Sequence, residues 1–159
     1  AGGEGKIYLR PGKTIPRQAL KVSHPKKVAQ FKYSVRSLEA MRYFVSTSGL
    51  DGAISVAQVY ERQKQYKWIV KEFRPHSFPL KAAIEAGDAS AEMKLKKLKD
   101  ALRLQESIDR SSYGLRTNPF TQKLKKEISK NGVTDKGISD NIHWDPETNE
   151  IFLIDMIGF

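Results

Sequence analysis

The sequence contains no cysteine, so it can form neither a disulfide nor a thiolate metal site. It also lacks any apolar run near the roughly 18 residues that a membrane-spanning helix needs, which predicts no membrane span. Acidic residues are scarce: 18 Asp and Glu stand against 28 Lys and Arg, for a net charge of +10. A chain of 159 residues that is 39% hydrophobic can still bury one core.

The positive charge is concentrated in three segments of the chain. Residues 1–36 carry nine basic residues against Glu4 alone, and residues 94–99 and 123–130 carry four lysines each. Basic patches of this kind favour acidic partners, namely a nucleotide, nucleic acid or an acidic protein. The plainer interpretation of each segment by itself is a solvated helix face or a basic arm.

Proline and glycine separate the chain into two parts. The opening "AGGEG" is typical of a linker and predicts a domain excised from a longer protein. Residues 1–35, which include Pro11, Pro16 and Pro25, predict a basic extension. Residues 36–159 predict a single compact α+β domain.

The sequence pattern in the first half of that domain predicts a short helix followed by a hairpin. "VRSLEAMRYF" (35–44) predicts a short helix that runs into a strand. Apolar and β-branched residues alternate in 54–63 and 65–73, which predicts two strands joined by the polar "ERQKQ". Pro75 and Pro79 are then expected to stop the sheet.

Two helices and a second hairpin are predicted for the remainder. Residues 90–109 follow the helical period with Ser90 as N-cap, and residues 119–132 repeat apolar residues every four positions. Their helical apolar positions are Met93, Leu95, Leu98, Ala101, Leu102, Ile108, Phe120, Leu124 and Ile128. The end of the chain predicts a closing β-hairpin whose turn contains Pro146, Thr148 and Asn149. The predicted fold class is therefore α+β: an antiparallel sheet, two helices and a closing hairpin.

The segment "STSGLDGAISVAQVYERQKQYKWIVKEF" resembles the small lobe of protein kinases. The resemblance places Gly49 and Gly52 in a turn between two strands, where a flexible backbone closes over phosphates. It places Val56 under an adenine ring and Lys71, fifteen residues later, at the α- and β-phosphates. Glu92 is the residue expected to pair with Lys71, and Glu85 and Glu106 are the other candidates.

The segment "DNIHWDPETNEIFLID" resembles the catalytic-loop Asn and the metal-binding Asp of kinases, especially the compact kinases that pathogenic bacteria inject as effectors. Asn141 and Asp155 lie fourteen residues apart, as in that family, and the resemblance implies that they hold Mg²⁺. Asp135 or Asp140 would accept the proton of the substrate hydroxyl.

Several positions depart from the kinase pattern. Ile54 stands where the third glycine of the phosphate loop would be, and "DMI" with Met156 replaces "DFG". The "HRD" triplet is absent, and Asp135 precedes Asn141 by six residues where kinases have five. The middle of the chain has room for one loop and one helix, fewer elements than a kinase has.

The resemblance implies an atypical ATP-dependent protein kinase with ATP and Mg²⁺ as cofactors, a phosphotransferase that modifies a protein hydroxyl. A bacterial effector or toxin of this kind would act in virulence, secreted or translocated into the cytoplasm of a target cell. An acidic partner or an immunity protein would bind it there. Without translocation it would be a cytoplasmic protein.

Two further functions remain open from the sequence. A small basic domain without cysteine also resembles the C-terminal toxin modules that cleave tRNA or rRNA. His143, between Asp140 and Asp145 and with Lys136 nearby, is the best candidate for such a ribonuclease. The missing "HRD" also leaves open a non-catalytic kinase-like binding module.

Overall fold

The structure is a computed structural model, and it describes residues 5–10, 17–113, 138 and 140–154. Helices and strands alternate through these residues, which confirms the predicted α+β class. The strands are β1 Gly5–Arg10, β2 Arg17–Ser23, β3 Ile54–Val56, β4 Val59–Arg62, β5 Trp68–Phe73, β6 Phe78–Pro79, β7 Ile142–Asp145 and β8 Glu150–Leu153. The helices are α1 Val28–Thr47, α2 Leu80–Glu85 and α3 Ala89–Tyr113, and a short 3-10 turn, Pro25–Lys27, precedes α1.

The first sheet is antiparallel and has the strand order β1-β2-β5-β4. The predicted hairpin between β4 and β5 is confirmed. In the turn between β4 and β5, the Tyr66 amide donates to the Gln63 carbonyl at 2.9 Å, and Tyr66 has a left-handed φ of 59°.

The second sheet has the order β3-β8-β7-β6. The predicted closing hairpin is confirmed as the antiparallel pair β7 and β8, and Asn149 adopts a left-handed φ of 55° in its turn. Asparagine tolerates that conformation better than most residues, which is why it marks such turns. β3 pairs with β8 in parallel.

The predicted single strand over residues 54–63 is wrong, because the chain divides it between the two sheets. β3 ends at Val56, and the Ala57 amide continues the ladder by donating to the Leu153 carbonyl at 2.9 Å. β4 begins at Val59 and joins the first sheet instead. Two consecutive buried residues, Val56 and Ala57, break the alternation at this crossover.

Pro75 follows the end of β5 by two residues, as expected, but Pro79 acts differently from the expectation. Pro79 does not stop a sheet: it lies in β6, opposite His143 of β7. β6 is an edge strand, where the missing N–H of proline leaves no ladder hydrogen bond unmade.

The segment 1–35, interpreted from sequence as an extension, contributes two strands and part of a helix. β2 pairs with β5 over six residues, and α1 begins at Val28 and continues past residue 35. α1 is twice as long as the predicted helix 35–44, and a turn rather than a strand follows it. Its buried face packs Phe31 and Val35 against Ile69 of β5.

The main core lies between the second sheet and the three helices. α3 contributes Ala91, Leu95, Leu98 and Leu102, at helical spacing, to a cluster that includes Trp144 of β7. Leu95, Leu98 and Leu102 were predicted for that face. Met93 and Ile108 were also predicted there, but they are 50% and 47% exposed, because the helix turns them away from the sheet.

The start of α3 differs from the expectation as well. Asp88, not Ser90, caps the helix: its Oδ1 accepts from the Ala91 amide at 3.0 Å. The Ser90 hydroxyl instead donates to Asn149 Oδ1 in the hairpin turn at 2.7 Å. α2 is an additional short helix, and the predicted helix 119–132 lies outside the described residues.

Arg74, directly after β5, joins the two sheets. Its guanidinium donates to Glu72 at 2.8 Å, Asp145 at 3.1 Å and Glu150 at 2.8 Å, and its Nη2 donates to Ser55 Oγ at 2.7 Å. The guanidinium also lies 4.2 Å from the centre of the Phe152 ring. Burial alone lowers the pKa of Arg74, but the hydrogen bonds to Glu150 and Glu72 outweigh it, so the pKa is raised and the group stays charged.

Replacing Arg74 by methionine is expected to destabilise the fold by about 3–5 kcal/mol, because Asp145, which is only 2% exposed, then loses its buried cation. Urea unfolding at pH 7 measures the change. Arg103→Met is the matched control, since Arg103 is exposed on α3 and its loss should change stability by less than about 0.5 kcal/mol. Equal effects of the two substitutions would contradict the assignment.

Candidate functional site

Lys71 connects the first sheet to the open end of the closing hairpin. It lies on β5 opposite Ala19 and Val59, and it is only 7% exposed. Its Nζ donates to the carbonyl of Ile154 at 2.8 Å, across 83 positions of sequence. Two segments that the kinase resemblance treats as halves of one site are therefore in direct contact.

Asn141 lies at the same end of the hairpin. Its carbonyl accepts from the Ile154 amide at 3.1 Å, which continues the ladder one step beyond the pairing of Ile142 with Leu153. Ile154 is thus bonded to Asn141 through its amide and to Lys71 through its carbonyl. Asp155, the next residue, and Asp135 lie outside the described residues.

A second buried lysine lies beside Lys71, and sequence reasoning missed it. Lys21 is on β2, opposite Ile69 of β5, so it shares with Lys71 the face that α1 covers. It is 4% exposed, and its Nζ is 5.5 Å from the centre of the Phe31 ring. The segment "ALKVS" indicates a buried strand, because one lysine interrupts an apolar run. Lys21 was counted instead among the basic residues of an N-terminal arm.

Gly49 and Gly52 do not lie between two strands, so that expectation of their placement is wrong. They follow α1 and precede β3, with left-handed φ values of 68° and 83°. The Leu50 amide donates to the Val45 carbonyl at 3.2 Å, which makes Gly49 the left-handed residue that ends a helix. Lys94 of α3 donates to the Gly52 carbonyl at 2.9 Å.

Val56 and Glu92 lie on elements other than the strand that carries Lys71. Val56 is buried in the main core, on a strand of the second sheet. Glu92 is exposed in the first turn of α3, close to Ser90 and therefore to the turn of the hairpin, whereas Lys71 meets the hairpin's open end. Lys21 and Lys71 lie on one face of the first sheet, called here the lysine face. The helix that covers this face is α1, not α3.

His143 and Asp140 differ in their environments. His143 is half-buried, and its Nδ1 is 3.0 Å from the Ser77 hydroxyl. Burial lowers the pKa of His143, the charge of Lys71 lowers it further, and Asp140 acts in the opposite direction. The Asp140 side chain is exposed and lies 3.8 Å from Lys81 Nζ.

The residues at this end of the hairpin are compatible in part with a hard cation. Asn141 offers a side-chain oxygen beside a strand end, which suits Mg²⁺. Within residues 5–10, 17–113, 138 and 140–154, no three histidine or carboxylate side chains are grouped closely enough to hold a metal ion. In the same ranges, no helix is both long and apolar enough to cross a bilayer.

No family model matches the chain, and no curated protein matches it.

His143 is expected to make stability depend on pH. Because its pKa is lowered in the folded state, the unfolded chain binds the proton first as the pH falls. The stabilisation is therefore complete above the usual pKa of 6.5 and is lost as the pH falls below it.

His143→Gln should flatten the decline in unfolding free energy between about pH 7 and pH 5, measured by urea unfolding at several pH values. His24→Gln is the control, because His24 is exposed before α1. An unchanged pH dependence in His143→Gln would show that another group is responsible.

Proposed function

We propose that the protein is an atypical ATP-dependent protein kinase of the bacterial effector or toxin type, which transfers the γ-phosphate to a protein hydroxyl. The observation that supports this most is the hydrogen bond of Lys71 to Ile154, which joins the lysine-bearing strand to the segment with the Asn and Asp of the kinase resemblance. The proposal rests on this convergence together with the spacing of the sequence motifs.

In the proposed mechanism, the positive charge of Lys21 and Lys71 attracts the phosphates of the nucleotide electrostatically. Lys21 and Lys71 are buried on one face, where a charge acts more strongly than it does in water. Phosphoryl transfer requires mainly positioning and neutralisation of the phosphate charge. Asn141 and Asp155 are the residues expected to hold Mg²⁺, which, when bound, neutralises charge between the β- and γ-phosphates.

An aspartate next to this segment would accept the proton of the acceptor hydroxyl. Asp140 precedes Asn141 directly, and its exposed carboxylate is accessible to a protein substrate. Asp135 remains the alternative from sequence. A protein acceptor also suits the exposed lysines of α3, Lys96, Lys97 and Lys99, which favour an acidic partner.

We further propose delivery into the cytoplasm of a target cell. A chain without cysteine can be unfolded for export and refolded in a reducing compartment without disulfide chemistry. An acidic immunity protein or substrate, or nucleic acid bound through the basic patches, is the partner class that the charge favours.

Mg²⁺-ATP at about 100 times its dissociation constant should raise the melting temperature by roughly 5–10 °C, because ligand binding to the folded state alone stabilises it. Lys21→Met and Asn141→Ala should each reduce this shift strongly. Differential scanning fluorimetry measures it, and transfer of labelled phosphate to a mixed protein substrate measures activity.

Lys96→Met is the matched control for Lys21→Met, since it removes an exposed lysine of α3 by the same substitution. It should leave the shift unchanged. A wild-type protein whose melting temperature does not respond to Mg²⁺-ATP, at any nucleotide concentration up to the millimolar range, would refute the kinase proposal.

A ribonuclease is the second candidate function, favoured by the action of the Lys71 charge on His143, by which a cation influences a titratable base. In that case the purified protein should cleave tRNA or rRNA in the presence of EDTA, and His143→Ala should stop the cleavage. Salt-sensitive RNA binding without cleavage and without an ATP shift would favour the non-catalytic binding module instead.

A further inference from the structure

The amine of Lys71 makes a structural contact at the point where the proposed metal-binding segment begins. β8 ends at Leu153, so the Ile154 carbonyl lies beyond the strand, and it accepts the Lys71 hydrogen bond at 2.8 Å. Lys71 is nearly fully buried, and a hydrogen bond from a charged donor is stronger than one between neutral groups. This contact therefore holds the end of the hairpin against the first sheet.

The contact also fixes Asn141 indirectly. The Ile154 amide donates to the Asn141 carbonyl at 3.1 Å, so Ile154 lies between Lys71 and Asn141 and is bonded to both. A shift of Ile154 would therefore move Asn141. Displacements of about 1 Å at a reacting centre are enough to reduce a rate a hundredfold.

We infer that Lys71 is a positioning residue of the proposed kinase: it places Asn141 through the Ile154 carbonyl, and it does not serve as the lysine that contacts phosphate. This inference rests on the proposed function. Lys21 provides the internal comparison, because it is equally buried on the same face but its amine lies over Phe31 of α1.

The first test measures amide hydrogen exchange by NMR without nucleotide. Lys71→Met should speed exchange of the Ile154 amide on the order of tenfold, because one charged hydrogen bond no longer holds the hairpin end. Lys71→Arg, which keeps a charged donor, should restore slow exchange. Lys21→Met should leave the Ile154 amide unchanged. Lys71→Gln, which shortens the side chain but keeps it polar, replaces Lys71→Met if the methionine variant does not fold.

The second test is a double-mutant cycle on stabilisation by Mg²⁺-ATP. If Lys71 acts through the hairpin end, Lys71→Met and Asn141→Ala should be non-additive, the double variant losing little more than the stronger single one. Lys21→Met and Asn141→Ala should instead add, because Lys21 lies on another strand with its amine over Phe31 rather than at the hairpin end.

Failure of the inference about Lys71 and failure of the proposed kinase function give different results. Unchanged exchange of the Ile154 amide in Lys71→Met, together with loss of the nucleotide shift, would overturn the inference and make Lys71 a phosphate ligand. A wild-type protein without any Mg²⁺-ATP shift would overturn the kinase function and with it a catalytic role for Lys71, even where the exchange data show that Lys71 holds the hairpin.

Discussion

The guanidinium of Arg74 is the interaction on which the arrangement of the two sheets depends. It follows the last strand residue of β5 and reaches Ser55 of β3, Asp145 of β7 and Glu150 of β8. A planar group with several fixed donors suits this task, because one side chain satisfies acceptors on three strands at once. Glu72 is the third carboxylate that Arg74 contacts, so the joint combines one cation with three carboxylates of low exposure.

The candidate site is a consequence of that joint. Lys71 lies on β5 and Arg74 directly follows β5, so the same segment brings the guanidinium to the hairpin and the Lys71 amine to the hairpin's open end. The two contacts lie at different positions along the hairpin, Arg74 at Asp145 and Glu150 near the turn and Lys71 at Ile154. Together they restrict rotation of one sheet against the other, which either contact alone would allow.

The sequence predicted the hairpins better than the helix ends, and the reasons are physical. Alternation with period two in β7, a short apolar run in β8 and an Asn at the turn mark this hairpin without reference to distant residues. Gly49 is different, because a left-handed glycine ends a helix as readily as it closes a strand turn, and only the true length of α1 decides between them. Lys21 was missed because burial of a lysine depends on which helix covers its strand, and that is a tertiary fact.

Two buried lysines on one face of the first sheet carry a cost in free energy, because each ammonium group loses hydration when it is buried. An apolar pair at the positions of Lys21 and Lys71 would pack against Phe31 and Val35 at a lower cost. Lys71 offsets part of that cost through its hydrogen bond to the Ile154 carbonyl. The fold therefore accommodates a buried lysine at position 71 because the same side chain holds the hairpin end against the first sheet.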